Sequence, residues 1–91
     1  MISYLEGTIA YSGEKHVILS TGPIGYRVYI LPKLIPILSK SQEKVKLFIH
    51  SQLNVRDGSF DMYGFPEHQG LQLFNLLISV NGIGPKNAMN I

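Results

Sequence analysis

Gly25-Tyr26-Arg27-Val28-Tyr29-Ile30, followed by Leu31-Pro32-Lys33-Leu34-Ile35-Pro36-Ile37-Leu38, is the stretch on which the fold turns. Its first half alternates, with Tyr26, Val28 and Ile30 on one face and Arg27 and Tyr29 on the other, as a half-buried strand does. Its second half is apolar but holds Pro32 and Pro36, which lack an amide donor and have a fixed φ. That half makes at most a short helical turn or plug. Upstream, residues 2–11 read as extended and end at Ser12-Gly13, and His16–Ser20 is a β-branched run broken by Thr21-Gly22-Pro23. Downstream, Val45, Leu47 and Ile49 alternate with Lys46, Phe48 and His50, Asp57-Gly58 marks a tight turn, and residues 60–65 form a last strand. Five short strands with one non-strand insert after the third predict a mainly β chain built as a five-stranded barrel of the OB type. The strands are few for a two-sheet sandwich, and an SH3-like barrel remains open.

From Pro66 the pattern changes to helical. Proline at the first helical position and Glu67 near the positive dipole end predict a helix start there. Leu71, Phe74, Leu77 and Ile78 share one face, and Leu73, Leu76 and Val80 widen it, a stripe broad enough to need more than one neighbour. The barrel supplies one; a further helical domain or a partner subunit is expected to supply the other. The chain therefore divides into a barrel, 1–65, and the start of a helical domain, 66–91.

The residues after that helix carry the chemistry. Leu77, Val80, Gly82, Ile83, Gly84, Ala88 and Ile91 fill the seven fixed positions of a helix-hairpin-helix pattern. Gly82 and Gly84 are expected to take positive φ and let the backbone approach another backbone. Ile83 buries the tip, Pro85 starts the second helix, and Ala88 lets the helices cross closely. The free amides at that helix start, with Lys86 beside them, suit a phosphate oxygen. Such a contact is independent of sequence because it reaches only the nucleic-acid backbone. Gly-x-Gly alone would mean no more than a glycine-ended helix followed by a proline-started one.

Composition bounds the alternatives. The 91 residues are 45% hydrophobic and 15% charged, which argues for a folded chain. Eight Lys/Arg against six Asp/Glu give a net charge of +2, but the basic residues are scattered, as a solvated surface or a phosphate footprint would have them. No apolar run approaches the ~18 residues of a membrane span, and residues 1–6 lack the basic and apolar regions of a signal peptide. With no cysteine there is no disulfide framework and no thiolate zinc site, which fits a cytoplasmic protein. His16, His50 and His68 are too far apart for a metal site, no nucleophile stands in a catalytic context, and the phosphate-binding loop of ATPases is missing. Neither an enzyme active site nor a cofactor is expected. Tyr4, Tyr11, Tyr26, Tyr29 and Tyr63 could stack on bases, but core and interface packing is the plainer use.

The whole chain resembles the RuvA family. Met1-Ile2-x-Tyr4-Leu5-x-Gly7-Thr8 is similar to its opening, and Gly22-Pro23-Ile24-Gly25-Tyr26-x-Val28 to its G-G-V-G-Y-x-V segment. Val55-Arg56-Asp57 with Tyr63-Gly64-Phe65 resembles V-R-E-D-x-x-x-L-Y-G-F, and residues 76–86 resemble L-L-I-x-V-x-G-V-G-P-K. The resemblance implies an OB-fold domain followed by a domain with two helix-hairpin-helix motifs. It implies binding of four-way (Holliday) junction DNA by a homotetramer, and a third domain that recruits the RuvB motor ATPase; the RuvC resolvase is a further partner it brings into view. By that comparison the second hairpin and the motor-contacting domain lie outside this chain, as in an N-terminal fragment. The family's V-R-E-D turn supplies an acidic pin that repels phosphates at the junction centre. Asp57 matches its first acid, Gly58 stands where the second would be, and Arg56 falls to a phosphate or intersubunit contact. An Asp-Gly turn without further role is the competing reading of Asp57. Two rival functions remain: an OB-fold module for single-stranded nucleic acid, and a protein-interaction module with no DNA contact.

Overall fold

The computed structural model describes residues 2–80 and 83–89. Five strands form a closed barrel: β1 (Tyr4–Ser12), β2 (His16–Ser20), β3 (Gly25–Tyr29), β4 (Val45–Asn54) and β5 (Ser59–Phe65), in the spatial order β1-β2-β3-β5-β4. Antiparallel pairing of β1 with β4 closes the ring, while β3 meets β5 in parallel at Tyr29 and Tyr63. This is the expected OB-type topology, with the ring closed between β3 and β5 by the single Tyr29–Tyr63 pairing. Between β3 and β4 the proline-bearing insert is a 3-10 turn, Pro32–Leu34, running into the short helix α1 (Ile35–Ser39). Ile35 is buried and Leu34 and Leu38 pack on the barrel core, so the insert is the plug that its composition predicts.

The alternation read from the sequence sets the barrel interior. Val17 and Leu19 of β2, Val28 of β3, Val45, Leu47 and Ile49 of β4 and Met62 of β5 point inward and are buried together with Ile30. Gly64 of β5 also faces inward: a Cβ there would lie 2.6 Å from Val28 Cγ1, so only glycine lets the wall close at that height. The alternate β5 residues, Tyr63 and Phe65, are buried as well, but on the outer face. β5 is thus covered on both sides, and its outer face is the seat of the helices.

Helix α2 (His68–Ile78) lies on that seat through Phe74, whose ring sits 5.3 Å from Tyr63 and 5.1 Å from Phe65 between centroids. His50 of β4 adds an edge contact to Phe74 at 5.3 Å. Eleven residues are too few to hold a helix in water unaided, so this aromatic seam holds α2 in place. The helix starts later than Pro66 and Glu67 predict. Glu67 is its N-cap, still extended at φ −121°, ψ 142° and without a side-chain cap bond, and Pro66 lies outside it. The chain leaves a strand whose last side chain, Phe65, is buried against the seam, and it bends through Pro66 and Glu67 before the helix begins. Leu71, Leu77 and Ile78 are half-buried on the seam as expected, whereas Leu73, Leu76 and Val80 stay exposed among the described residues.

Candidate nucleic-acid interface

Past α2, Ile83 packs back into the aromatic seam, and α3 (Pro85–Ala88) follows with Ala88 and the next residue, Met89, buried there. Gly84 is the N-cap and Pro85 the first helical residue. The Ala88 N–H donates to the Gly84 carbonyl at 3.0 Å and the Met89 N–H to that of Pro85 at 3.1 Å. The amides of Lys86 and Asn87 precede those bonds and have no intrahelical carbonyl to meet. Lys86 is exposed, with Nζ 5.7 Å from the centre of the Tyr29 ring.

One expectation is corrected here. Gly84 has φ −87°, ψ 169°, an extended conformation open to any residue, so positive φ is not what calls for glycine. A Cβ at Gly84 would meet nothing within 4 Å either. Neither the local backbone nor packing among the described residues needs glycine at 84; its lack of a side chain leaves the backbone bare toward the outside. Gly82, the other glycine of the pattern, lies outside the described residues.

Facing α3 across a groove is the β4–β5 turn. The groove is lined by Gln52, Asn54, Val55 and Asp61 on the barrel side and by Gly84 and Lys86 on the other. The turn closes on itself. Gly58 N–H donates to the Asn54 carbonyl at 2.8 Å, Arg56 N–H to Asn54 Oδ1 at 3.1 Å, and Ser59 N–H to Asp57 Oδ1 at 2.9 Å. Gly58 sits at φ +73°, the left-handed region, with open space around it. Glycine stands at this position because the turn demands that φ. Asp57 is fully exposed, and its carboxyl is held below the usual range by the Ser59 hydroxyl and amide, with a smaller pull from the Lys86 charge. Arg56 is exposed at the same tip.

The structure therefore sets Asn54, Val55 and Asp61 on one side of the groove and Gly84, Pro85 and Lys86 on the other, while Asp57 and Arg56 stand at the exposed tip of the β4–β5 turn and do not line it. The tyrosines divide. Tyr63 is buried and Tyr29 half-buried with stacked rings 5.4 Å apart, while Tyr4 and Tyr11 are exposed. Burial pushes the Tyr63 phenol up to about 12, helped by the Asp61 charge. Among the described residues no cluster of His, Asp or Glu could hold a metal ion, and no helix is long and apolar enough to cross a membrane. Sequence reasoning did not single out the outward burial of Tyr63 and Phe65. The signal was present: Met62, Tyr63 and Phe65 put apolar groups on both faces of one strand, as in strands covered on both sides.

The family model described as RuvA N terminal domain matches residues 1–64. Over its full length the chain is 44% identical to the Holliday junction branch migration complex subunit RuvA of Halothermothrix orenii, covering 45% of that protein. The proteins of the same name from Maridesulfovibrio salexigens and Brevibacillus brevis are each 36% identical, with 44% and 43% of their lengths covered. The chain thus spans a little under half the length of these relatives.

Proposed function

The chain belongs to the RuvA N-terminal domain family, and on that premise we propose that it binds four-way junction DNA selectively, as part of the non-motor subunit of a branch-migration complex in homologous recombination and DNA repair. The observation that carries this reading is the groove, with the lysine-bearing Gly84–Lys86 edge on one wall and Asn54, Val55 and Asp61 on the other, where the turn that carries Asp57 begins. The Gly84–Lys86 edge takes a phosphate: the bare backbone lets the strand come close, the free amides donate, and Lys86 contributes charge and displaces a counterion. Ile83 and Pro85 hold that edge in register, and the pattern match assigns Gly82 to the same contact. Asp57 acts in the opposite sense, opposing the close approach of a second phosphate. Arg56 beside it contacts a phosphate or a neighbouring subunit. Attraction at the hairpin and repulsion at the turn favour DNA whose strands diverge over a continuous duplex.

The parent protein, on this reading, is a cytoplasmic homotetramer whose partner RuvB hydrolyses ATP, with the RuvC resolvase as a second partner. The helical segment 66–91 then begins the hairpin domain that follows a barrel domain ending at 65. A gel-shift competition at fixed salt tests the central claim. Four-way junction should displace labelled junction at lower concentration than duplex or single strand of equal length; equal competition by all three would refute it.

A further inference from the structure

On the other side of Lys86 lies a second cleft, of about 230 Å³, between the β1–β2 turn, the barrel wall and α3; Lys15, Tyr29, Ile30, Tyr63, Lys86 and Met89 line it. We propose that this cleft holds a single unpaired nucleotide of a DNA strand, its base against the Tyr29 ring and its flanking phosphates on Lys15 and Lys86. Tyr29 is half-buried and stacks at 5.4 Å and 26° on the buried Tyr63, so the aromatic surface it offers the cleft is backed by a second ring. The row continues outward from Tyr29 to His16, at 6.4 Å, and to Tyr11, at 6.1 Å from His16. Ile30 and Met89 add apolar contact, and the lining residues include no carboxylate. The volume lies below the roughly 300–1,000 Å³ of pockets for drug-sized ligands, so one ring system enters and a base pair does not. Lys15 is exposed, but its turn is anchored, because the Ile30 N–H donates to the Lys15 carbonyl at 3.0 Å. A π-face and van der Waals contacts suit every base, so the site is tolerant of sequence.

The inference rests on the DNA-binding reading above only through Lys86, and its test is separate from that of junction preference. The 91-residue chain is titrated with a fluorescent oligothymidylate and with an abasic oligomer of the same phosphate count. Thymidylate should bind from about fivefold to about a hundredfold more tightly, the range for one stacked base. It should also quench emission from the five tyrosines, which no tryptophan masks. Lys15→Ala keeps the backbone carbonyl that Ile30 needs. It should weaken thymidylate binding and lower the salt slope by about 0.7, the value for one phosphate of a single strand. Lys15→Arg should restore both, and a fully paired four-way junction should bind Lys15→Ala as it binds the unchanged chain. Equal affinity for the thymidylate and abasic oligomers, or no binding of either, overturns the base site. An equal loss on the paired junction overturns it too, because Lys15 would then be a general phosphate contact. Failure of junction preference with the thymidylate–abasic difference intact would count against the proposed function and leave the cleft standing.

Discussion

Two turns face each other across one groove, and they satisfy their backbones in opposite ways. The β4–β5 turn is closed internally: Asn54 and Asp57 accept the amides of Arg56, Gly58 and Ser59, and Gly58 takes the left-handed φ that the closure needs. The turn into α3 is open: Gly84 is extended, nothing within the described residues crowds it, and the amides of Lys86 and Asn87 precede the first helical bond. One turn ends in a carboxylate and the other in an ammonium. Glycine therefore means different things at the two sites. At 58 it serves the conformation of the chain, and at 84 neither the backbone nor a neighbour among the described residues calls for it.

The comparison breaks most completely if the second turn is detached from the barrel. Phe74 is 2% exposed and joins α2 to Tyr63, Phe65 and His50. Phe74→Ala should cost about 3–5 kcal/mol, the usual loss for a buried phenyl ring, read as a lower denaturant midpoint. Ile83, Ala88 and Met89 pack in the same seam, so amide exchange in 83–89 should rise before exchange in β2 and β3. Equal acceleration in β2 and β3 would mean that barrel and helices form one cooperative unit.

Smaller in energy, and confined to the open turn, is Gly84→Val. With an ordinary φ and no neighbour within 4 Å, valine should leave the unfolding free energy within ~0.5 kcal/mol, as surface substitutions do. Junction affinity should fall by at least about tenfold, since a hydrogen bond to a charged group is worth ~1.5–3 kcal/mol. Affinity unchanged in a folded Gly84→Val would leave the glycine unexplained. Lys86→Ala is gentler: affinity should fall without regard to sequence, and the log–log salt slope should drop by about 1. A slope that does not move would free Lys86 from the phosphate.

The barrel was legible because its interior alternates at period two, from Val17 and Leu19 to Val45, Leu47 and Ile49, and because Pro32 and Pro36 forbid a strand where the plug lies. Helix α2 was legible in its apolar face but not in its start, since Pro66 and Glu67 carry the residue types of a helix N-terminus while the chain bends there as it leaves Phe65. The start of α3 could be read from Pro85, but the conformation of Gly84 could not, because a spacing pattern does not tell an extended glycine from a left-handed one. Nor could the groove. It depends on the outward burial of Tyr63 and Phe65, which seats α3 opposite the end of β4 and Asp61, a long-range consequence that no local pattern encodes.

The smallest expected effect belongs to Asp57, and it separates the turn's structural role from any role toward DNA. A carboxylate and a phosphate repel, far less in water than at low dielectric. Asp57 is fully exposed, so the effect is small and salt screens it. Asp57→Asn keeps an oxygen that can accept the Ser59 N–H, so the turn should survive while the charge is lost. The ratio of junction to duplex affinity should fall a few-fold at low salt and less at high salt. Gly58→Asp would restore the family's paired acids, but at φ +73° its side chain must sit in the left-handed region, so any gain in the ratio should come with a small loss of stability. Acid supplies an independent arm. The folded carboxyl lies below its ordinary value, so the stabilisation it gives the turn is complete above about pH 4 and is lost as pH falls through the folded value. Protection of the Ser59 amide should therefore drop below pH 4 in the unchanged chain and stay flat in Asp57→Asn. If that acid step is present but the junction-to-duplex ratio of Asp57→Asn is unmoved at low salt, Asp57 is a turn residue alone, and the open hairpin carries the DNA preference without an opposing charge.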